Sequence, residues 1–187
     1  SASGTAAWAR CRPVAEDGTL GEWRVLDHRG VHAVLVRANP VSQRREWAWR
    51  HALVCLSRFE ALGIEVRNGS AGLARFAGKP GLLLLPRAVR PTTVLTGDAA
   101  VARQAVEEFG KSVVKPAHGS QGKGVFIVRP GQDNLNATLD LLLETGPMIV
   151  QPWLPAAVDG DVRVFVANGD VFRAGGAVAA IRRRPAQ

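Results

Sequence analysis

Residues 118–124 read His-Gly-Ser-Gln-Gly-Lys-Gly, three glycines and a lysine within one short stretch. Glycine has no Cβ, so backbone N–H groups in such a loop can approach an anion closely, and Lys123 adds a point charge. The stretch is not a Walker loop. Its lysine is followed by glycine instead of Ser or Thr, and a strand-like run at 125–128 follows where a helix would be needed. Alone, a glycine-rich hairpin turn accounts for it as well. Lys115 gives it weight, because a lysine at a strand end facing a pliant glycine flap can hold nucleotide phosphates from two sides.

Two further pieces could complete a nucleotide site. In MIVQPWLP, an apolar run passes into Gln151, Pro152, Trp153 and Leu154. A base laid along it could use backbone groups for its edge and apolar side chains for its faces. A tryptophan after a strand serves equally as core. In Asp161-Val162-Arg163, strand alternation puts both charges on one face. Arg163 could contact a transferring phosphate and Asp161 a ribose hydroxyl or a cation; a cross-strand salt bridge is the plain alternative.

The whole composition is compatible with such a site. Among the 187 residues only four are lysines against twenty arginines, and Lys111, Lys115 and Lys123 fall close together. Lysine is thus spent where a compact charge is useful. The net charge of +8 comes from arginines spread along the chain, so nucleic acid is not the expected partner and a phosphate-bearing small ligand explains the excess. No apolar run approaches the roughly 20 residues of a membrane span. The expectation is a soluble, cytoplasmic protein in which Cys11 and Cys55 stay reduced; a homo-oligomer is left open.

The elements that must position these residues follow from patterning. Residues 21–30 hint at a strand. The run 32–36, HAVLV, reads as a strand covered on both faces that ends at Arg37. Ser42 can cap a helix reaching about Leu62, with Trp49, Leu53, Leu56 and Phe59 or Glu60 at helical spacing and Gly63 as its stop. A strand at 64–67 then closes a parallel βαβ unit. A Gly- and Arg-rich stretch, a buried run at 82–85 and the extended RPTTVLT form a hinge. Asp98 caps a helix through Phe109, and residues 112–114 form the strand that delivers Lys115. Residues 125–128 are its hairpin partner. A helix starting at Asp133 or Asn134 runs to about Thr145, and 148–151 is a buried strand. Residues 161–167 are expected to pair with the chain from Val171 onward across Asn168-Gly169, a type I′ signal. The fold class is α/β (α+β), with antiparallel pairing in the second half.

The order of these parts resembles the ATP-grasp superfamily and is most similar to bacterial glutathione synthetase. The resemblance runs over about 31–187 through VLVRANP, EVRNGSAGL, Lys79, RPTTVLTGD, SVVKPAHGSQGKGVFIV, MIVQPWLP, DGDVRVFVANGDV and AAIRRRPAQ. It implies a pre-ATP-grasp α/β domain at 1–90, a small ATP-grasp subdomain with the flap at 91–147, and the start of the large subdomain at 148–187. ATP and Mg²⁺ are the implied cofactors. Lys79 and Lys115 match the lysines on the phosphates, and Gly119, Ser120, Gln121, Gly122 and Gly124 match the mobile flap. Gln151, Pro152, Trp153 and Leu154 match the adenine hinge, and Asp161 and Arg163 a polar pair deeper in the pocket. Arg183 matches an arginine near the phosphate and the carboxylate substrate, Arg37 a residue at the acceptor substrate.

The resemblance further implies a ligase that phosphorylates a carboxylate and joins it to an amine through an acyl phosphate. A γ-glutamyl dipeptide and glycine are the first expected substrates. A peptide-tailoring or glutamate-adding ligase comes second, and an ATP-binding module without catalysis is a rival. Asn39 and Val41 stand where glutathione synthetases usually carry aspartate and proline. Family members also continue past a PAQ-like segment into acidic and asparagine metal ligands, and begin with a strand and helix before the position of Ser1; both segments are expected to flank these residues.

Overall fold

The computed structural model describes residues 7–37, 46–76, 78–119 and 122–184. The first strand, β1 (Trp8–Cys11), pairs antiparallel with β2 (Arg24–Asp27), the strand hinted at by the sequence. Next come β3 (Ala33–Leu35), α1 (Glu46–Ala61) and β4 (Glu65–Arg67), with β3 and β4 parallel from Ala33↔Glu65 to Leu35↔Arg67. This is the expected βαβ unit. The expected cover on both faces of β3 is not found, since Ala33 and Leu35 are exposed and only Val34 is half-buried. A two-stranded sheet with one crossover helix has cover for one face only. Ser42, proposed as the cap of α1, lies outside the described residues. Within α1, Trp49, Leu53 and Leu56 are half-buried and Phe59 is buried, as their spacing requires.

Glu60 at the end of α1 accepts hydrogen bonds from the Ser70 amide (2.8 Å) and hydroxyl, docking the short α2 (Ser70–Arg75). The hinge region is built from 3-10 turns at Lys79–Leu84 and Arg87–Val89. The run 82–85 is not buried as expected: Leu82 and Leu83 are half-buried, Leu84 and Leu85 exposed. In a 3-10 turn successive side chains point about 120° apart, so consecutive leucines cannot share one buried face.

The main sheet follows. It comprises β5 (Val94–Thr96), β6 (Ser112–Pro116), β7 (Phe126–Val128) and β8 (Met148–Pro152), in the order β5-β8-β6-β7 and antiparallel throughout. The strand β8, which opens the last of the three stretches expected from the sequence, is an inner strand of this sheet. Two helices cover one face: α3 (Ala99–Phe109), capped by Asp98 through Ala100 N–H at 2.7 Å, and α4 (Leu135–Glu144). Their core contains Ala102, Val106, Val114, Val128, Leu139, Met148 and Val150. Alternation along β6 and β8 therefore turns Val113, Lys115, Ile149 and Gln151 toward the opposite face. The fold thus separates an apolar helix side from a side that carries polar groups.

Beyond β8 lie β9 (Asp161–Val164), β10 (Val166–Ala167), β11 (Asp170–Val171), β12 (Arg173–Ala174), β13 (Ala177–Val178) and β14 (Ala180–Arg183). Asn168 (φ 53°) and Gly169 (φ 86°) form the expected turn between β10 and β11. The pairing of the whole stretch 161–167 with residues after Val171 is corrected in part: β9 pairs with β14, Asp161 facing Arg183. Only the two residues flanking a tight turn are committed to each other by that turn, and a second hairpin, β12–β13, intervenes. No described helix is long and apolar enough to cross a membrane.

Candidate functional site

On the polar side of the main sheet, the Lys115 ammonium donates to Gln151 Oε1 at 2.7 Å. Gln151 is 5% exposed, and its Nε2 donates to Thr93 Oγ1 at 2.8 Å. Thr93 in turn donates to the Pro91 carbonyl at 2.8 Å. Register explains the first link: Gln151 faces Val113, one step along the same side of β6 from Lys115. Burial, reinforced by the nearby charge of Lys79, holds the Lys115 ammonium below the usual lysine range.

Lys79 approaches from the 3-10 turn. Its ammonium donates to three carbonyls, Pro116 at 2.8 Å, His118 at 2.9 Å and Gly119 at 3.0 Å, and its amide donates to Ala117 at 3.2 Å. Lys79 is thus docked on the first part of the glycine-rich loop, and burial lowers its pKa as well. Gly119, Gly122 and Gly124 have φ of 85°, 73° and 69°, the left-handed region that favours glycine. A Cβ on Gly124 would also stand 3.0 Å from the Pro116 ring. Ser120 and Gln121 lie outside the described residues. Behind the loop, on the helix side, a cavity of about 480 Å³ opens between Pro116, His118, Lys123, Phe126 and Leu142.

Past Gln151, Pro152 ends β8, and the Trp153 amide donates to the Lys111 carbonyl at 2.8 Å. The Lys111 ammonium lies 4.4 Å from the centre of the Trp153 ring, a cation–π contact. Leu154 is exposed. Lys115 is therefore joined directly to Gln151 and Lys79 directly to Gly119, the two pairs meeting where Lys79 holds the Pro116 carbonyl next to Lys115, with Trp153 just past the strand that carries Gln151. Thr93 and Lys111 belong to this group and were not singled out by the sequence. In the sequence Thr93 belongs to an extended segment with no local signal of its own, and Lys111 is one lysine of a cluster.

Asp161 and Arg183 form a second group. Arg183 Nε donates to Asp161 Oδ1 at 2.7 Å, and Arg183 Nη2 to Asp161 Oδ2. The guanidinium holds the Asp161 carboxyl below its ordinary range, and the carboxylate raises the arginine. This is the cross-strand pair foreseen as the plain alternative, with Arg183 as the partner. Arg163 is exposed on the same strand, and its charge acts on Asp161 more weakly. A cavity of about 410 Å³ opens beside Gly160, Asp161, Arg183 and Arg184. No hydrogen bond or ion pair among the described residues joins this group to Lys115. Arg37 is exposed just past β3, where Val36 N–H donates to Arg67 and Asn68 Nδ2 to the Val36 carbonyl at 2.8 Å.

Chemically, the first group suits a polyphosphate. Two half-buried ammoniums without a carboxylate partner among the described residues gain from an anion. Loop amides beside them could share its charge. A metal is less well served. No group of three His, Cys, Asp or Glu stands together among the described residues.

Comparison with known proteins bears on the same region. The profile of the family described as "Prokaryotic glutathione synthetase, ATP-grasp domain" matches residues 81–187. The chain is similar to the glutathione synthetase of Thermosynechococcus vestitus, 33% identical over 165 residues, or 87% of this chain and 50% of the relative. It is 37% identical to that of Synechocystis sp. over 107 residues, 56% of this chain and 33% of the relative. The chain spans at most about half the length of these relatives. Among solved structures it resembles the ATP-grasp ligase PsnB complexed with minimal precursor, with a TM-score of 0.52 at 21% identity over 95% of this chain and 64% of that one. An ATP-grasp RimK domain protein from Sphaerobacter thermophilus gives 0.52 at 24% identity, covering 75% and 52%. These last two likenesses concern the fold.

Proposed function

Because this chain belongs to the prokaryotic glutathione synthetase ATP-grasp family, we propose that it forms the nucleotide-binding part of an ATP-dependent carboxylate–amine ligase. One observation carries the reading. Lys115, fixed by Gln151 and Thr93, stands beside a glycine loop pinned by Lys79, on the sheet face opposite α3 and α4.

In this reading ATP is the phosphoryl donor. Lys79 and Lys115 hold its phosphates, and Gly119, Ser120, Gln121, Gly122 and Gly124 lay flap amides over them. Lys79 must exchange some of its carbonyl contacts for phosphate oxygens, which loosens the loop as the nucleotide enters. Gln151, Pro152, Trp153 and Leu154 seat the base. Asp161, Arg163 and Arg183 flank the reacting end, and Arg37 meets the acceptor substrate. The carboxylate attacks the γ-phosphorus, the bond to the β-phosphate oxygen breaks and ADP leaves. The amine then attacks the acyl phosphate, expelling inorganic phosphate and losing a proton. Positioning and charge neutralisation suffice for both steps, so no nucleophilic side chain is needed. Mg²⁺ would accompany the phosphates. The described residues do not make a metal site by themselves, and Asp161 is already committed to Arg183, so no step is assigned to the metal.

The proposed substrates are a γ-glutamyl dipeptide and glycine, supported by relatives named glutathione synthetase. A peptide-tailoring or glutamate-adding ligase is the second reading, favoured by Asn39 and Val41 and by the general ligase form of the flap. The cytoplasm is the proposed compartment, in keeping with two free cysteines. Phosphate release from ATP, measured with the whole protein and a panel of carboxylate and amine pairs, tests the proposal. Release should require both substrates and vanish in Lys115→Ala. Undiminished turnover in that variant rules the assignment out.

A further inference from the structure

The nucleotide reading leaves aside two arginines at the edge of the same sheet. Arg87 and Arg90 bracket the turn Arg87–Val89, and with Thr92 and Thr93 they line a cavity of about 150 Å³. That is about five waters' worth of space, and well below the roughly 300 Å³ at which sites for larger molecules begin. A small group fits it.

The walls favour an anion. Arg90 is half-buried, and its Nε donates to the Leu85 carbonyl at 3.0 Å, which fixes the guanidinium and leaves its two terminal nitrogens to other partners. Arg87 is exposed and makes no side-chain hydrogen bond or ion pair among the described residues, and the Thr92 hydroxyl is equally uncommitted there. The carboxylates paired with cations among the described residues are Asp27, Glu65 and Asp161, none of them facing Arg87 or Arg90. Two guanidiniums around one small cavity repel each other until an anion stands between them, and their planar forks match an oxyanion.

We infer that Arg87, Arg90 and Thr92 form a binding site for a small oxyanion of the phosphate class, separate from the lysine pair. The oxyanion is either free or the terminal group of a larger ligand. Thr93 connects the site to its surroundings: its hydroxyl accepts from Gln151, which accepts from Lys115. The inference stands whether or not the chain binds ATP.

The test is a titration of the ¹⁵N-labelled chain with inorganic phosphate at low ionic strength, followed at the amides of Arg90, Thr92 and Thr93. Saturable shifts are expected at these amides, with a dissociation constant raised at least tenfold by Arg87→Gln and changed less than twofold by Lys115→Met. Arg87 is exposed, and the same spectra report whether each variant is folded. Shifts that persist unchanged in folded Arg87→Gln, or that occur only around Lys115 and Gly119, overturn the site. A parallel titration with AMP separates the sources. Tighter binding than phosphate with the same arginine dependence assigns the group to a larger ligand, and weaker binding to free phosphate. Failure of the nucleotide reading appears in Lys115→Met, failure of this site in Arg87→Gln.

Discussion

Lys79 and Lys115 share an environment that works against their own charge. Burial lowers both pKa values, and at Lys115 the neighbouring ammonium adds to it. Phosphate favours the protonated form, so nucleotide affinity should decline as pH rises through these lowered values, before the roughly 10.4 of an exposed lysine is reached. Calorimetric titrations between neutral and alkaline pH check this, and an affinity flat across that range contradicts it. The free protein should show the opposite slope. Between the lowered folded values and the ordinary unfolded one, the unfolded chain binds more protons, so folding stability contributed by these lysines rises with pH in that window. At Asp161 the carboxyl is depressed by Arg183 instead. Its contribution is complete above the ordinary aspartate value of about 3.9 and is lost as pH falls through the lowered one, which a titration of the Arg183 Nε–H resonance would follow.

At the level of elements, the main sheet and the β9–β14 pair should respond to different substitutions. Leu139 is fully buried between α4 and the sheet. Leu139→Ala should cost about 2–5 kcal/mol, read from urea unfolding, because the surrounding side chains cannot close the space. Gly160 has φ 89°, and a Cβ there would stand 1.9 Å from the Arg183 carbonyl oxygen. Gly160→Ala should therefore separate β9 from β14 and release the Asp161–Arg183 pair while leaving the four-stranded sheet folded. Hydrogen exchange would show faster amides at Ile181 and Arg183 and unchanged protection in β6 and β8. Equal protection of β14 in both proteins would contradict this.

For the molecule as a whole, local signals in the sequence revealed what they govern. The β6–loop–β7 hairpin, the Asp98 cap and the buried run of β8 are each set by residues adjacent in the chain, and each is found where expected. The partner of β9 was not legible, because β14 lies beyond two intervening hairpins and no short-range pattern links them. Lys79 was singled out only through resemblance, and its hold on the loop was invisible because its partners are backbone carbonyls some 37–40 residues away. The part played by Thr93 is hidden in the sequence for a related reason. Its role depends on Gln151, and only the antiparallel alignment of β5 with β8 brings the two together.

The polyphosphate grip on the face of that sheet opposite α3 and α4 is tested most directly by calorimetric titration of a non-hydrolysable ATP analogue into the chain and into Lys115→Met. Saturable binding is predicted for the first, weakened at least about thirtyfold in the second, which corresponds to about 2 kcal/mol for removing one partner of a buried charged contact. Equal affinity in a folded Lys115→Met variant would contradict the account.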